Sequence, residues 1–259
     1  GLTGAAGDNA VEIIDTVHDK AIARIPLPPG YHEIVFSSDG RHVFISNRQS
    51  QSLTIVDAAT FKVVREVELG FEPISLMFVD ASALLWVVDA KAGKIHRFDV
   101  KGKPIDHWML DPGLGPIRLT PDSRYALVVN PSQHQIHVID VATAQEKHRI
   151  TLSGQPYDIL FSAQYAYIRT LHNEQIGLLS LGSLDAGQPI LKPVPAGAGG
   201  LAAMHDLPRA SSMALTLDRA GAFFTTPSER TLYHYMEGMN SPSSGLKTYG
   251  HTPLAAMVV

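Results

Sequence analysis

The chain has 259 residues, 45% hydrophobic and 18% charged, enough apolar side chain for a sizeable core and too balanced a mixture for a disordered segment. Its 21 Lys and Arg against 25 Asp and Glu leave a formal charge of −4, so no broad basic field exists for a nucleic-acid backbone and no nucleic-acid partner is expected. Without Cys, disulfides, thiolate metal sites and covalent c-type haem attachment are excluded. No apolar run approaches the length of a membrane span, and the chain carries no signal-peptide pattern.

Taken in order, the chain repeats itself. Val11-Glu12-Ile13-Ile14-Asp15, Leu53-Thr54-Ile55-Val56-Asp57, Ile95-His96-Arg97-Phe98-Asp99 and Ile136-His137-Val138-Ile139-Asp140 end in aspartates spaced 42, 42 and 41 residues apart. Residues 11 to 27 read as the third and fourth strands of a unit spanning 8–29. The unit 30–69 is complete: Ile34-Val35-Phe36, the turn Ser38-Asp39-Gly40, Val43 to Asn47, Leu53 to Asp57, and Val63 to Leu69. Asp-Gly between apolar runs is a hairpin signal, because Gly adopts positive φ freely and Asp tolerates it. Units 70–114, 115–153 and 154–197 follow, opened by Gly70-Phe71-Glu72-Pro73, Gly115-Pro116 and Gly154-Gln155-Pro156. An irregular unit occupies 198–249, and Pro253 to Val259 within 250–259 reads as one more first strand. Four strands every 40 to 45 residues, with no amphipathic helix, predict an all-β fold, a single β-propeller of four-stranded blades. If both termini complete one blade, five whole blades and a composite that lacks its second strand make six. If the chain is cut at Val259, the parent is a seven-bladed propeller.

The Gly-x-x-Pro start, the Ser-x-Asp-Gly turn, the strand ending in Asn and the apolar-Val-Asp strand resemble the YVTN repeat, in the family that includes cytochrome d1-like propellers. The resemblance covers residues 8 to 181 well and 211 to 259 loosely, with Ser180 and Glu237 standing where other units have Asp. It implies a periplasmic or otherwise extracytoplasmic setting and a ligand-binding role. It carries no ligand motif that matches residue by residue, so any haem would be held non-covalently.

The repeat acts as a control on the 12 His and 7 Met. His96, His137 and His234 stand three residues before the acidic end of the third strand and read as strand residues of the scaffold. Met236, aligned with Val56, and Met77 and Met257 in first strands read as core. Asp15, Asp57, Asp99 and Asp140 read as turn caps. What breaks the repeat is the more informative part, since inserted loops gather on one rim. The segment 196–210 holds Met204, His205, Asp206 and Arg209, and the segment 237–247 holds Met239. His205 with Met204 or Met239 has the donor chemistry for copper or haem iron. His32 and His251 stand where the chain enters first strands, whose ends would line a central channel, and extend that metal set. Aligned on the following apolar strand, His32 matches Tyr157 and Glu33 matches Asp158. Arg118 and Arg169 are candidates for anion contacts. His32, His251, Arg118, Tyr157 and Asp158 thus form the expected cofactor-binding set.

The expected function is a non-catalytic binding propeller holding a metal, a non-covalent haem-type cofactor or a small ligand. A lactonase-like hydrolase using Glu33, His32 and Asp158 is one alternative. A protein-interaction scaffold contacting partners through 196–210 and 237–247 is the other. No nucleophile elbow, phosphate loop or zinc-protease helix is present.

Overall fold

Runs of Val, Ile, Leu and Phe, four to six residues long and bounded by Asp, Gly, Pro and Ser, favour a pleated backbone whose side chains alternate between two faces. A computed structural model describes residues 2–4, 10–30, 32–171, 175–195, 213–226, 231–238 and 243–247. Among them, strands follow one another in chain order and fold into successive antiparallel sheets. The chain forms two compact units, 1–117 and 118–259.

The first unit opens with a three-stranded sheet, Leu2–Gly4, Ala10–Asp15 and Lys20–Pro26. Ala10–Asp15 and Lys20–Pro26 are the expected third and fourth strands. Leu2–Gly4 pairs with Ala10–Asp15 on its inner side, Leu2 opposite Ile13, and so fills the second-strand place that the repeat pattern leaves empty. Three residues carry too little pattern to be recognised. The first complete sheet holds His32–Phe36, His42–Asn47, Ser52–Asp57 and Lys62–Glu68. The second holds Pro73–Val79, Leu84–Asp89, Lys94–Asp99 and Pro104–Met109. Val11, Ile25 and Leu27 pack with Val43, Ile45 and Val56 in one layer. Phe44, Leu53 and Ile55 pack with Leu76, Phe78, Leu85 and Val87 in the next. The Phe44 and Phe78 rings stack there at 5.6 Å.

Three further sheets of four strands follow in chain order. The third sheet runs through Ile117–Leu119, Tyr125–Asn130, Gln135–Asp140 and Gln145–Thr151. The fourth uses Gln155–Phe161, Tyr165–Leu171, Gln175–Ser180 and Leu191–Pro195. The fifth uses Met213–Leu215, Gly221–Thr226, Thr231–Met236 and Ser243–Lys247. Leu127, Val129, Ile136 and Val138 pack against Ile159, Ala166, Ile168 and Leu179. Fully burying one such side chain stabilises by roughly 1.5–3 kcal/mol, and most of these are at 0% exposure, so these apolar layers hold each unit together.

The repeated turns are built from the residues that marked them. In the first hairpin of three sheets, Ser37, Thr120 and Thr216 donate their hydroxyls to Asp39, Asp122 and Asp218. Those carboxylates accept the amides of Arg41, Arg124 and Ala220. The residue after each aspartate is left-handed, Gly40 at φ 67°, Ser123 at 59° and Arg219 at 54°; only the first is the Gly such a turn favours. Asp57 accepts the amides of Ala59 and Thr60, and Asp140 that of Thr143. The aspartates ending the third strands are therefore caps, as expected. Ser180, which lacks such a carboxylate, is followed by a 3-10 turn at Leu181–Leu184.

Register corrects one alignment. The Glu237 amide donates to the Ala220 carbonyl as the Ala58 amide does to Arg41 and the Val141 amide to Arg124. Met236, not Glu237, therefore holds the place of Asp57 and Asp140, and His234 is displaced by one residue from the position shared by His96 and His137. The cause is an acidic residue one step past the true strand end, which imitates the capping aspartate.

A strand at the inner edge of a sheet is paired on one side only, and its remaining amides need acceptors. In the first unit they come from the neighbouring sheet. Glu33 accepts the Leu76 amide at 2.7 Å, and Ser75, the residue before Leu76, accepts the Ile117 amide at 3.3 Å. We expect Glu33→Ala to destabilise the protein by about 1–3 kcal/mol, the cost of a buried unsatisfied amide, and Glu33→Gln, which keeps an acceptor oxygen, to restore most of it. Urea unfolding of the two variants checks this; an Ala variant as stable as the parent would contradict the brace.

Candidate functional site

Asp158 and Arg169 face each other across the first two strands of the fourth sheet. Directly opposed residues of an antiparallel pair project to the same face. The pairing passes from Pro156–Thr170 to Asp158–Arg169 with Tyr157 as the extra residue between them. Pro156 has no amide to give the ladder, and a bulge beside it re-aims the residues that follow. The same register place in the first sheet holds Glu33 opposite Ser46. Asp158 matches Glu33, but Arg169 stands where a small hydroxyl stood.

Arg169 is 2% exposed. Its guanidinium carbon lies 5.7 Å from the ring centre of Phe224 in the fifth sheet, a cation over an aromatic face. Asp158 accepts the amide of Ile159 at 2.9 Å. Burial pushes its carboxyl above the ordinary range, opposed by the charge of Arg118. Arg118, in the first strand of the third sheet, and Asp158 are thus electrostatically coupled within the second unit. Two guanidinium groups and one carboxyl leave this inner-strand group with an excess of positive charge when all are ionised. In the same layer, Tyr167 donates its hydroxyl to Glu237 at 3.1 Å, and burial followed by the Glu237 charge raises its pKa.

The sequence-predicted residues therefore divide. Arg118, Tyr157 and Asp158 lie on inner strands of the second unit, with Arg169 directly across from Asp158. His32 begins a first strand opposite Asn47 in the first unit. His251, His205, Met204 and Met239, four of the five residues of the metal set, lie outside the described residues, as does the loop 196–210. Of the segment 237–247, expected to replace a normal hairpin, Ser243–Lys247 is instead the fourth strand of the fifth sheet. Among the described residues no group of three or more His, Asp or Glu has the geometry to hold a metal ion. Glu33, a proposed catalytic base in the hydrolase alternative, is engaged by the Leu76 amide.

Two histidines of the repeat occupy different settings. His96 stacks on Phe71 at 4.3 Å, and its Nε2 lies 3.9 Å from an Asp89 oxygen. Burial lowers its pKa, with Asp89 opposing. The His137 side chain is fully buried, and its Nδ1 meets Glu146 at 2.6 Å while Arg149 grips the same carboxylate. Sequence reasoning missed these partners, because Glu146 and Arg149 lie on an outer strand with no motif of its own.

No family model matches the chain, and no curated protein matches it. Solved structures do. A dihydro-haem d1 dehydrogenase, NirN, in complex with DHE is similar at TM-score 0.71 and 18% identity, over 94% of this chain and 52% of that one. Hydrazine synthase from Kuenenia stuttgartiensis is similar at TM-score 0.61 and 20% identity, over 81% and 63%. The β-propeller domain of Swd1 from Myceliophteria thermophila is similar at TM-score 0.71 and 13% identity, over 95% and 82%. The chain thus spans about half the length of the NirN chain and under two thirds of the hydrazine synthase chain. These likenesses establish the fold class, an all-β propeller of four-stranded sheets.

The Asp158 setting gives a signed pH dependence. Folded Asp158 keeps its proton to a higher pH than the unfolded chain, so the folded state binds more protons between the ordinary aspartate value, about 3.9, and the raised folded value. Stability then falls as pH rises through that window and levels off above it. Asp158→Asn, which retains the oxygen facing the Ile159 amide, is expected to remove that slope in urea unfolding from about pH 3 to pH 8. An unchanged slope would show that Asp158 is not its source.

Proposed function

We propose that this chain is the binding part of an extracytoplasmic propeller, non-catalytic, whose ligand is a small molecule bearing carboxylates, with haem-type cofactors as the favoured class. The observation that carries the reading is Arg169, an arginine at 2% exposure set opposite a carboxyl of raised pKa in a register place held by Ser46 in the first sheet. Arginine forks match carboxylates in a bidentate manner, and Arg118 supplies a second positive group coupled to the same Asp158. The donor set fits the acidic side groups of a tetrapyrrole; among the described residues it does not fit a bare metal ion. When bound, such a cofactor would supply an iron centre and visible absorption, and this chain's part is to orient its acidic groups. The likeness to NirN, a dihydro-haem d1 dehydrogenase in complex with DHE, supports that class, as does the resemblance of the repeats to d1-like propellers. The extracytoplasmic setting rests on that resemblance too.

Arg118 is the better residue to change, because it is half-buried whereas Arg169 is packed within the layer. Titration of the purified protein with ferric protoporphyrin, followed in the Soret region, is expected to show saturable binding that Arg118→Ala weakens by about tenfold or more, which corresponds to about 1.4 kcal/mol. Equal binding by parent and variant with the same circular dichroism, or no binding by either, would contradict the reading.

A further inference from the structure

The first unit contains a cavity of ≈ 420 Å³ between the three-stranded sheet and the first four-stranded sheet. Val11 and Ile25 line it from one sheet, Val43 and Ile45 from the other, with Phe36 and Phe61 completing the wall. All ten lining residues are apolar or Gly. A water molecule needs two to four polar partners to be held in a cavity, and these side chains offer none. Natural small-molecule pockets begin at about 300 Å³, and a cavity of about 150 Å³ is enough for benzene, so the space here suits a guest of one or two rings.

Two further features distinguish this place from its repeats. Phe36 is 52% exposed, whereas Phe78, which pairs with Leu85 in the next sheet as Phe36 pairs with Val43, is 9% exposed and stacked on Phe44. Phe61 holds a left-handed backbone at φ 57°. The matching turn residues, four after the capping aspartate, are Asp19 at 51° and Ala144 at 56°. The turn imposes that conformation in all three, and a bulky residue adopts it at greater cost than a small one. An aromatic ring is thus kept at the cavity where other turns carry a short side chain.

We propose that this cavity is a second ligand site, separate from the inner-strand group, and that it takes a flat, uncharged aromatic molecule of one or two rings. The aliphatic walls of Val11, Ile25, Val43 and Ile45 exclude charge, and the Phe36 and Phe61 rings favour a planar guest that stacks or meets them edge-on.

Naphthalene is the probe, with octane as the aliphatic comparison, and the full chain is used. Nuclear Overhauser contacts from naphthalene protons to the methyl groups of Val43 and Ile45 are expected in the parent protein. Ala58→Phe fills the space from the wall, because Ala58 also lines the cavity and the hydrogen bond its backbone amide donates to the Arg41 carbonyl does not involve the side chain. This variant is expected to keep or raise the unfolding temperature and to weaken naphthalene binding at least tenfold. If Ala58→Phe does not fold, the methyl contacts in the parent decide the matter alone. Absence of those contacts, tighter binding of octane than of naphthalene, or undiminished naphthalene binding by a folded Ala58→Phe would each overturn the proposal.

Discussion

An inner strand that is hydrogen-bonded on one side only has backbone amides that another residue must satisfy. In the first unit that need is met across sheets, by Glu33 for Leu76 and by Ser75 for Ile117. The acceptors and the amides they serve recur at nearly the repeat length, so these two braces fix the heights of the inner-strand residues Leu76 and Ile117. The apolar layers then interdigitate in register, Phe44 on Phe78. Hydrophobic burial provides most of the favourable energy, and the braces decide which register collects it.

The fourth sheet departs from that arrangement, and the departure creates the candidate site. Asp158 holds the Glu33 place in register but accepts the amide of its own neighbour, Ile159. The third sheet carries Pro116 at that point in its sequence, a residue without a side-chain acceptor. With its carboxyl turned to a local amide and desolvated, Asp158 feels the charge of Arg118 and stands opposite Arg169 in register. The chemistry proposed for the protein thus comes from altering one bracing position of a repeated scaffold and placing an arginine opposite it.

Most of the scaffold was legible in the sequence because repetition supplied its own control. The Ser-x-Asp-Gly turn, the strand-ending aspartates and the four-strand order all appear where the pattern put them, with Asp57 and Asp140 capping turns as read. The failures are local and physical. Leu2–Gly4 was too short to show alternation, and Glu237 imitated a strand end one residue late, which moved His234 into a place that it does not occupy. Of the site, Tyr157 and Asp158 were singled out from alignment with His32 and Glu33, and Arg118 and Arg169 as candidates for anion contacts. That Arg169 is buried directly opposite Asp158 depended on the bulge at Tyr157, which a one-residue register shift conceals. The cavity beside Phe36 and Phe61 had no sequence signal, because emptiness between sheets depends on how side chains from distant strands meet.

The most direct measurement of the central claim is the carboxyl carbon resonance of Asp158, followed against pH with and without a metal-free dicarboxylate porphyrin. The account predicts a titration above the ordinary aspartate range in the free protein and a further upward move with the porphyrin, because an anion held by the neighbouring arginines disfavours the charged carboxyl. A normal aspartate titration that the porphyrin leaves unmoved would contradict it.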